Sequence, residues 1–431
     1  MVAYNALSLS MLSRSTRKKL VLYLTAMLFL HVFLAWNAWR GIRIGMPDFS
    51  IFYTAGEILR SGRGYELYDD TVQEAVQRSF APMSLQKRGS FIPFNHPPFE
   101  ALVFLPFARL PYLGAYFVWL AINLGLTFTM LVFLRGNFAA LGSAPFYLWM
   151  LAAFAFFPLF FALLQGQDSV FVLFCYAMAF VAFRHGAESR EGAWVGLSLC
   201  KFHLVLPFVF PLLLLRRKKF LAGFLLVAVI LALLGLAAVG WRGSSSYPAY
   251  VLGGEKNQTH AWKIAIGPAA NVRGIVESLC PPTEPRVRVG LILLVYLMLL
   301  ASLTYAVRKS FLMSAVHPEL VFALSLIAAV LLSFHTYTYD LSMLFVAVLI
   351  VLEFLLSNEM FNGWSKRTLY ACIGILFCSP LYMLLTLRYK HSELIGVVLL
   401  VFFAVLFVEF LRIQPRLDAR PAPVLTNPEL H

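Results

Sequence analysis

Charge is what this chain lacks. Only 13% of its 431 residues are Asp, Glu, Lys or Arg, too few to cover a soluble globule of this length. Acidic residues are the scarcer kind, 21 against 35 Lys and Arg. Cysteine is scarce as well: Cys175, Cys200, Cys280, Cys372 and Cys378 make an odd set with no C-x-x-C pair, and four of them lie in apolar runs. That pattern indicates neither a disulfide framework nor a zinc site. Short alternating strands of the kind a membrane barrel needs are absent, and so is any strong internal repeat, which weakens a secondary-transporter reading. No clustered carboxylate motif asks for a metal, and nothing asks for another cofactor.

What is present is apolar. Hydrophobic residues make up 60% of the chain, and they recur in runs of about 20, each long enough to span a bilayer. The expected fold is all-α: a polytopic transmembrane helical bundle of about ten full spans with additional short or re-entrant helices. The net charge of +14 is read as contact with anionic lipid headgroups, not nucleic acid, because Lys and Arg cluster in short loops between the apolar runs.

Taken in order, residues 1–19 form a basic N-terminus, cytoplasmic by the positive-inside rule. An uncleaved first span follows at about 20–40. Residues 41–98 form an outer loop, in which Phe49–Ser61 has helical spacing and is expected to lie along the membrane surface as an amphipathic helix, with Phe49, Phe52, Ile58 and Leu59 on its apolar face. Residues 192–215 carry basic flanks at both ends. One crossing would force one flank outside, so the stretch is expected to be a hairpin of two short helices broken near Cys200-Lys201-Phe202-His203. A second outer loop, 242–286, contains His260, Trp262 and Lys263 and a short helix within Ile264–Leu279. The transmembrane domain is bounded at 20–412, and a disordered cytoplasmic tail at 413–431.

This bookkeeping gathers Asp48, His96, Gln167, Asp168, His335 and Asp340 on the outer side. Lys201 and His203 approach it from within the membrane. An ionisable group at such a depth is costly without a partner or a task. Each has a plain alternative. Asp48 could cap the helix that follows it, and Lys201 could snorkel to headgroups. His96 could stabilise the turn at Pro97-Pro98, and Gln167 and Asp168 could cap a helix. His335 could be structural, and Tyr337, Tyr339 and Asp340 could belong to an interfacial aromatic belt.

Four stretches in this order resemble glycosyltransferase family 87, bacterial polyprenol-phosphate-mannose-dependent α-mannosyltransferases of the GT-C fold. They are Asp48 to Gly56 with Gly62 and Tyr65 to Asp69; His96-Pro97-Pro98 with Pro106, Leu110 and Pro111; Gly166-Gln167 with Gly192 to Gly196 and Lys201; and Ser333-Phe334-His335 to Asp340. Two departures stand out. Phe334 follows Ser333 where the family often has Pro, and Phe202 and His203 follow Lys201 where it often has Pro. The resemblance implies a bacterial inner-membrane enzyme working at the outer face, with a polyprenyl-phosphate sugar as donor and a lipid or glycan as acceptor. Asp48 matches the position of the catalytic base.

Sugar transfer passes through an oxocarbenium-like state. An inverting transfer needs one carboxylate to take the acceptor's proton. It also needs cations or donors where charge develops on the leaving phosphate, and no general acid. On this reading Asp48 and His335 are the catalytic pair, and Lys201 and His203 bind the donor phosphate. Tyr53, His96, Gln167, Asp168, Tyr339 and Asp340 line the substrates, and no metal is included. The alternatives are the same fold using another polyprenyl-phosphate sugar such as arabinose, and a lipid-linked sugar transporter without chemistry.

Overall fold

In hydrocarbon every backbone N–H and C=O must be satisfied within its own segment, which leaves helices for a chain this apolar. The computed structural model describes residues 14–256, 269–281, 283–312, 317–357 and 361–418, and among them there are helices and no strands. His260, Trp262 and Lys263, residues 1–13 and the tail beyond Asp418 lie outside the described residues. The second outer loop does carry a short helix, Val272–Leu279, whose cap residue Asn271 accepts from the Gly274 N–H at 2.9 Å. The last helix runs from Glu393 to Asp418, so residues 413–418 are helical where a disordered tail was expected.

Among the described residues, seven helices are long and apolar enough to cross a membrane, and two bent pairs raise the number to nine. The expected count of about ten is not confirmed by this measure. Ser169–Arg184 and Pro318–Leu332 are apolar but shorter. Every residue from Leu320 to Leu332 is buried, and a helix wrapped in protein need not match the full bilayer thickness.

The stretch Glu188–Leu214 passes the same test of length and composition, yet it doubles back. Straight, its 27 residues would extend about 40 Å. Instead Arg217, just beyond one end, pairs with Glu188 at the other at 3.1 Å. The reversal falls in the 3-10 turn Ser198–Lys201, between the helices Glu188–Leu197 and Phe202–Leu214. The first leg lies against the Lys218–Lys256 helix with no room for side chains. A Cβ on Gly192 would come within 1.9 Å of the Phe220 carbonyl oxygen, and one on Gly223 within 1.9 Å of that of Ser189. Small residues that let helix backbones meet are the usual device in membranes.

Above the bundle sits a second layer built from Phe49–Arg60, Asp70–Phe80, Pro82–Arg88 and Pro98–Phe104. The Phe49–Arg60 helix forms as expected but does not lie on the surface. Residues Phe49 to Gly56 and Ile58 are all buried. The sequence pattern gave it one apolar face; the outer loop folds over the other, with Gln73, Gln77 and Tyr250 tying that cover together through hydrogen bonds to Leu67, Ile92 and Asp70.

Both bent pairs close on one residue of the first span. Pro158 has no N–H to offer the carbonyl of Phe154, so the helix breaks by 70° at Phe156. Pro380 marks a second break, of 64°. The His31 ring lies between them, with Nδ1 2.8 Å from the Phe154 oxygen and Nε2 2.8 Å from Ser379 Oγ. A carbonyl can only accept, so Nδ1 carries the hydrogen and Nε2 accepts from the serine hydroxyl. His31→Leu should cost about 1–3 kcal/mol, the usual penalty for a buried acceptor left bare. His31→Asn, which keeps a donor at the same branch point, should recover part of it. Thermal unfolding of the detergent-purified variants checks both, and equal loss in the two would remove the donor role.

Candidate active site

The first span ends in a turn at Gly45, whose backbone is left-handed (φ 83°), and the chain re-enters a helix at Phe49. Asp48 stands at the cap position, but its backbone is already helical and its side chain caps nothing. The capping alternative therefore fails. Its carboxylate Oδ2 accepts from Gln167 Nε2 at 2.8 Å, and its own N–H donates to Gln165 Oε1 at 3.1 Å. Both glutamines hang from the turn at Gly166, another left-handed glycine (φ 63°). A Cβ there would stand 2.8 Å from that of Phe49, so only glycine lets this turn reach Asp48. Trp119 Nε1 fixes the turn from behind by donating to the Gly166 carbonyl at 2.9 Å.

Beside Asp48 runs a chain of buried charges. Lys201, at the hairpin tip, lies 3.0 Å from Asp168 Oδ1 and 2.9 Å from Asp340 Oδ1, with its ammonium 4.9 Å from the centre of the Tyr339 ring. Its side chain is 4% exposed, which removes the snorkelling alternative. Asp340 is held in turn by the Ser169 hydroxyl at 3.2 Å and the Tyr337 N–H at 2.9 Å. Asp168 continues to His96 Nδ1 at 3.7 Å, and His96 to Glu100 Oε2 at 2.9 Å.

Burial raises the Asp48 carboxyl above its ordinary range, against the Gln167 hydrogen bond and the Arg88 and Lys201 charges. Burial likewise pushes Glu100 up to about 7, opposed by His96. For His96, burial works against the proton, but Glu100 and Asp168 prevail and its pKa rises. For Asp168, burial is outweighed by Lys201 and His96, and its pKa falls. The dyad His96–Glu100 thus holds a proton near neutral pH, whereas Asp168 stays ionised.

These groups border a cavity of about 300 Å³ at the seam between the bundle and the outer layer. Asp48, Gln167, His96, Lys201, His203, His335 and Tyr339 all line it. The His203 and His335 rings stack with centroids 4.3 Å apart, and Phe334 and Tyr337 edge His335. Asp168 and Asp340 are not in the lining; they stand behind Lys201. Tyr53 is not brought to the cavity either: its hydroxyl donates to the Leu110 carbonyl at 2.7 Å and its ring packs on Phe80 and Tyr112.

Glu100 and Gln165 went unnoticed in the sequence. His96 and Glu100 are four apart across a Pro-Pro helix start, the spacing that places side chains on one face, so a signal existed for Glu100. None existed for Gln165. His96, Glu100 and Asp168 offer ligand atoms within 4.8 Å of one another, a spacing suited to a cation, although Lys201 already answers the charge of Asp168.

Among known proteins, the family model for Glycosyltransferase family 87 matches residues 94–334. It spans His96, Gln167, Asp168 and Lys201, begins after Asp48 and stops one residue before His335. No curated protein and no solved structure matches the chain. With more than half of its length matched, and with apolar helices that cross a membrane several times, the chain belongs to glycosyltransferase family 87 and is a multi-pass membrane glycosyltransferase.

Proposed function

We propose that this enzyme transfers a hexose, mannose in the first place, from a polyprenyl-phosphate donor to a lipid or glycan acceptor, with inversion and with Asp48 as the general base. The observation that carries the reading is that one cavity is lined by the Asp48 carboxylate, the buried Lys201 ammonium and two imidazoles, His203 and His335. An acceptor hydroxyl beside Asp48 gives its proton to the carboxylate as its oxygen bonds to the sugar C1. The C1–O bond to phosphate breaks on the opposite face, and its electron pair leaves with the polyprenyl phosphate. Lys201 has three N–H donors, two directed at Asp168 and Asp340, which leaves the third for that phosphate. Tyr339 and Tyr337 line the cavity where the sugar would lie.

The orientation proposed is a GT-C arrangement in a bacterial inner membrane with the cavity on the outer side. It is supported by the basic clusters at the other end of the bundle, where Arg184 pairs with Glu319 and Arg217 with Glu188, close to the run Arg216–Lys219. A prenyl chain would then run from the cavity into the surrounding lipid.

Three outcomes test this. Asp48→Asn should lower transfer of radiolabelled mannose from polyprenyl-phosphate-mannose into host lipid extract by about 10²–10⁴-fold, the usual worth of a general base, with unchanged thermal stability. Full activity would remove Asp48 from the mechanism. Because the Gln167 hydrogen bond holds the Asp48 pKa down, Gln167→Leu should raise it further. The acid limb of kcat/KM, where the base is lost as pH falls, should move to higher pH; an unmoved limb would separate Gln167 from the base. Finally, Lys201→Met leaves two carboxylates facing each other in a buried site and should cost about 3–5 kcal/mol in unfolding experiments. Adding Asp168→Asn should restore part of the loss, and donor use should stay impaired in the repaired double variant.

A further inference from the structure

We infer that the stacked pair His203–His335 takes up one proton when the phosphodiester of the donor binds, so that an imidazolium joins Lys201 against the phosphate. This rests on the reading above, and deepens it by assigning how the site's charge is balanced.

Both rings line the cavity. His203 Nε2 and His335 Nδ1 are buried and have no hydrogen-bond partner among the described residues. A buried polar atom left bare costs about 1–3 kcal/mol, and two such atoms side by side mark a place where a ligand supplies the partner. The partner must be an acceptor if these nitrogens carry hydrogens, and a phosphate oxygen is one. A neutral imidazole presents only one N–H, whereas the protonated ring presents two.

The charged surroundings decide when that proton can be held. Lys201 faces the pair from the hairpin tip, His96 from the outer layer, Arg273 from the Val272–Leu279 helix and Asp340 from the turn after His335. Arg273 is paired with Glu277 at 3.1 Å, and Lys201 with Asp168 and Asp340. Burial, with Lys201, His96 and Arg273, pushes the His335 imidazole down to about 4 in spite of Asp340. Two rings 4.3 Å apart also disfavour a second charge. A phosphate monoanion reverses the balance, because an opposite charge at close range favours the charged form. The cavity already holds Asp48, with Asp168 and Asp340 taken up by Lys201 and Glu100 by His96, so these positive groups are engaged by carboxylates. An incoming anion therefore needs a further positive charge, and the imidazole pair is where one can form. The proton comes from the solvent.

The test is calorimetric titration of the full-length protein in lipid nanodiscs with a synthetic polyprenyl-phosphomannose. The donor is a phosphodiester and does not itself titrate near neutral pH. An Asp48→Asn background blocks turnover and removes Asp48 as a proton acceptor. Heats measured at pH 7.5 in buffers of different ionisation enthalpy give the number of protons taken up. The expected result is an uptake approaching one, and binding that tightens by up to about tenfold per unit fall in pH. In His335→Gln and His203→Gln, which keep a donor but cannot titrate there, binding should persist and at least one of them should lose the uptake. Binding without proton uptake overturns the inference while leaving the donor assignment intact. So does uptake that survives in both glutamine variants, or binding that requires a divalent ion in place of the proton. Failure of any polyprenyl-phosphate sugar to bind overturns this inference and the donor assignment together.

Discussion

The site depends on one ammonium group held out of water. Lys201 sits between Asp168 and Asp340, and each of the three residues belongs to a different part of the chain: the hairpin tip, the turn between two helices, and the turn after Pro318–Leu332. None of the three charges would be tolerated there alone, since a lone ion at this depth costs several kcal/mol. Together they fasten the ends of separate helices at one level of the bundle. Their ion pairs fix where the cavity can be, before any substrate is considered. The same arrangement leaves Lys201 nearly spent electrostatically. On the mechanism proposed above, negative charge developing on the donor would then be met by groups that gain charge on demand, or by donors that need no net charge.

Asp48 depends on a different kind of support. Its partners are neutral amides from one turn, with Gly166 supplying the close approach. A carboxylate held by a neutral donor keeps its basicity better than one clamped by a cation, which suits the role of base proposed for Asp48. The contrast with Asp168, whose acidity is strengthened by Lys201, separates the two carboxylates by role although they are near neighbours in space. Environments that push titratable groups apart in this way are a common sign of acid–base assignments.

Much of this was legible in the sequence. The alternation of apolar runs and basic clusters gave the helical class, and the basic flanks on both sides of residues 192–215 gave the hairpin, which the Glu188–Arg217 pair bears out. The side on which Asp48, His96, Gln167, Asp168, His335 and Asp340 fall followed from the same charges, and they do gather around one site. Other features were not legible, for physical reasons. The burial of Phe49–Arg60 on both faces depends on long-range cover by the outer loop, which no local periodicity records. Tyr53 shares the helical face pattern of its neighbours but spends its hydroxyl on Leu110, an accident of packing. Asp168 and Asp340 were read as substrate contacts, whereas their neighbour Lys201 takes them up. Gln165 had no motif at all.

The doubling back at Ser198–Lys201 has a consequence for parity. A segment that returns to the side it left adds no crossing, so every helix after Arg217 keeps the orientation set by those before Glu188. Were that stretch to pass straight through, all later spans would be inverted. Asp340 and His335 would then face the compartment opposite to Asp48, and no rearrangement of side chains could reunite them. The short 3-10 turn therefore does more than present a lysine: it acts as the even-numbered fold in the thread that lets the first and last thirds of the chain meet on one face of the membrane.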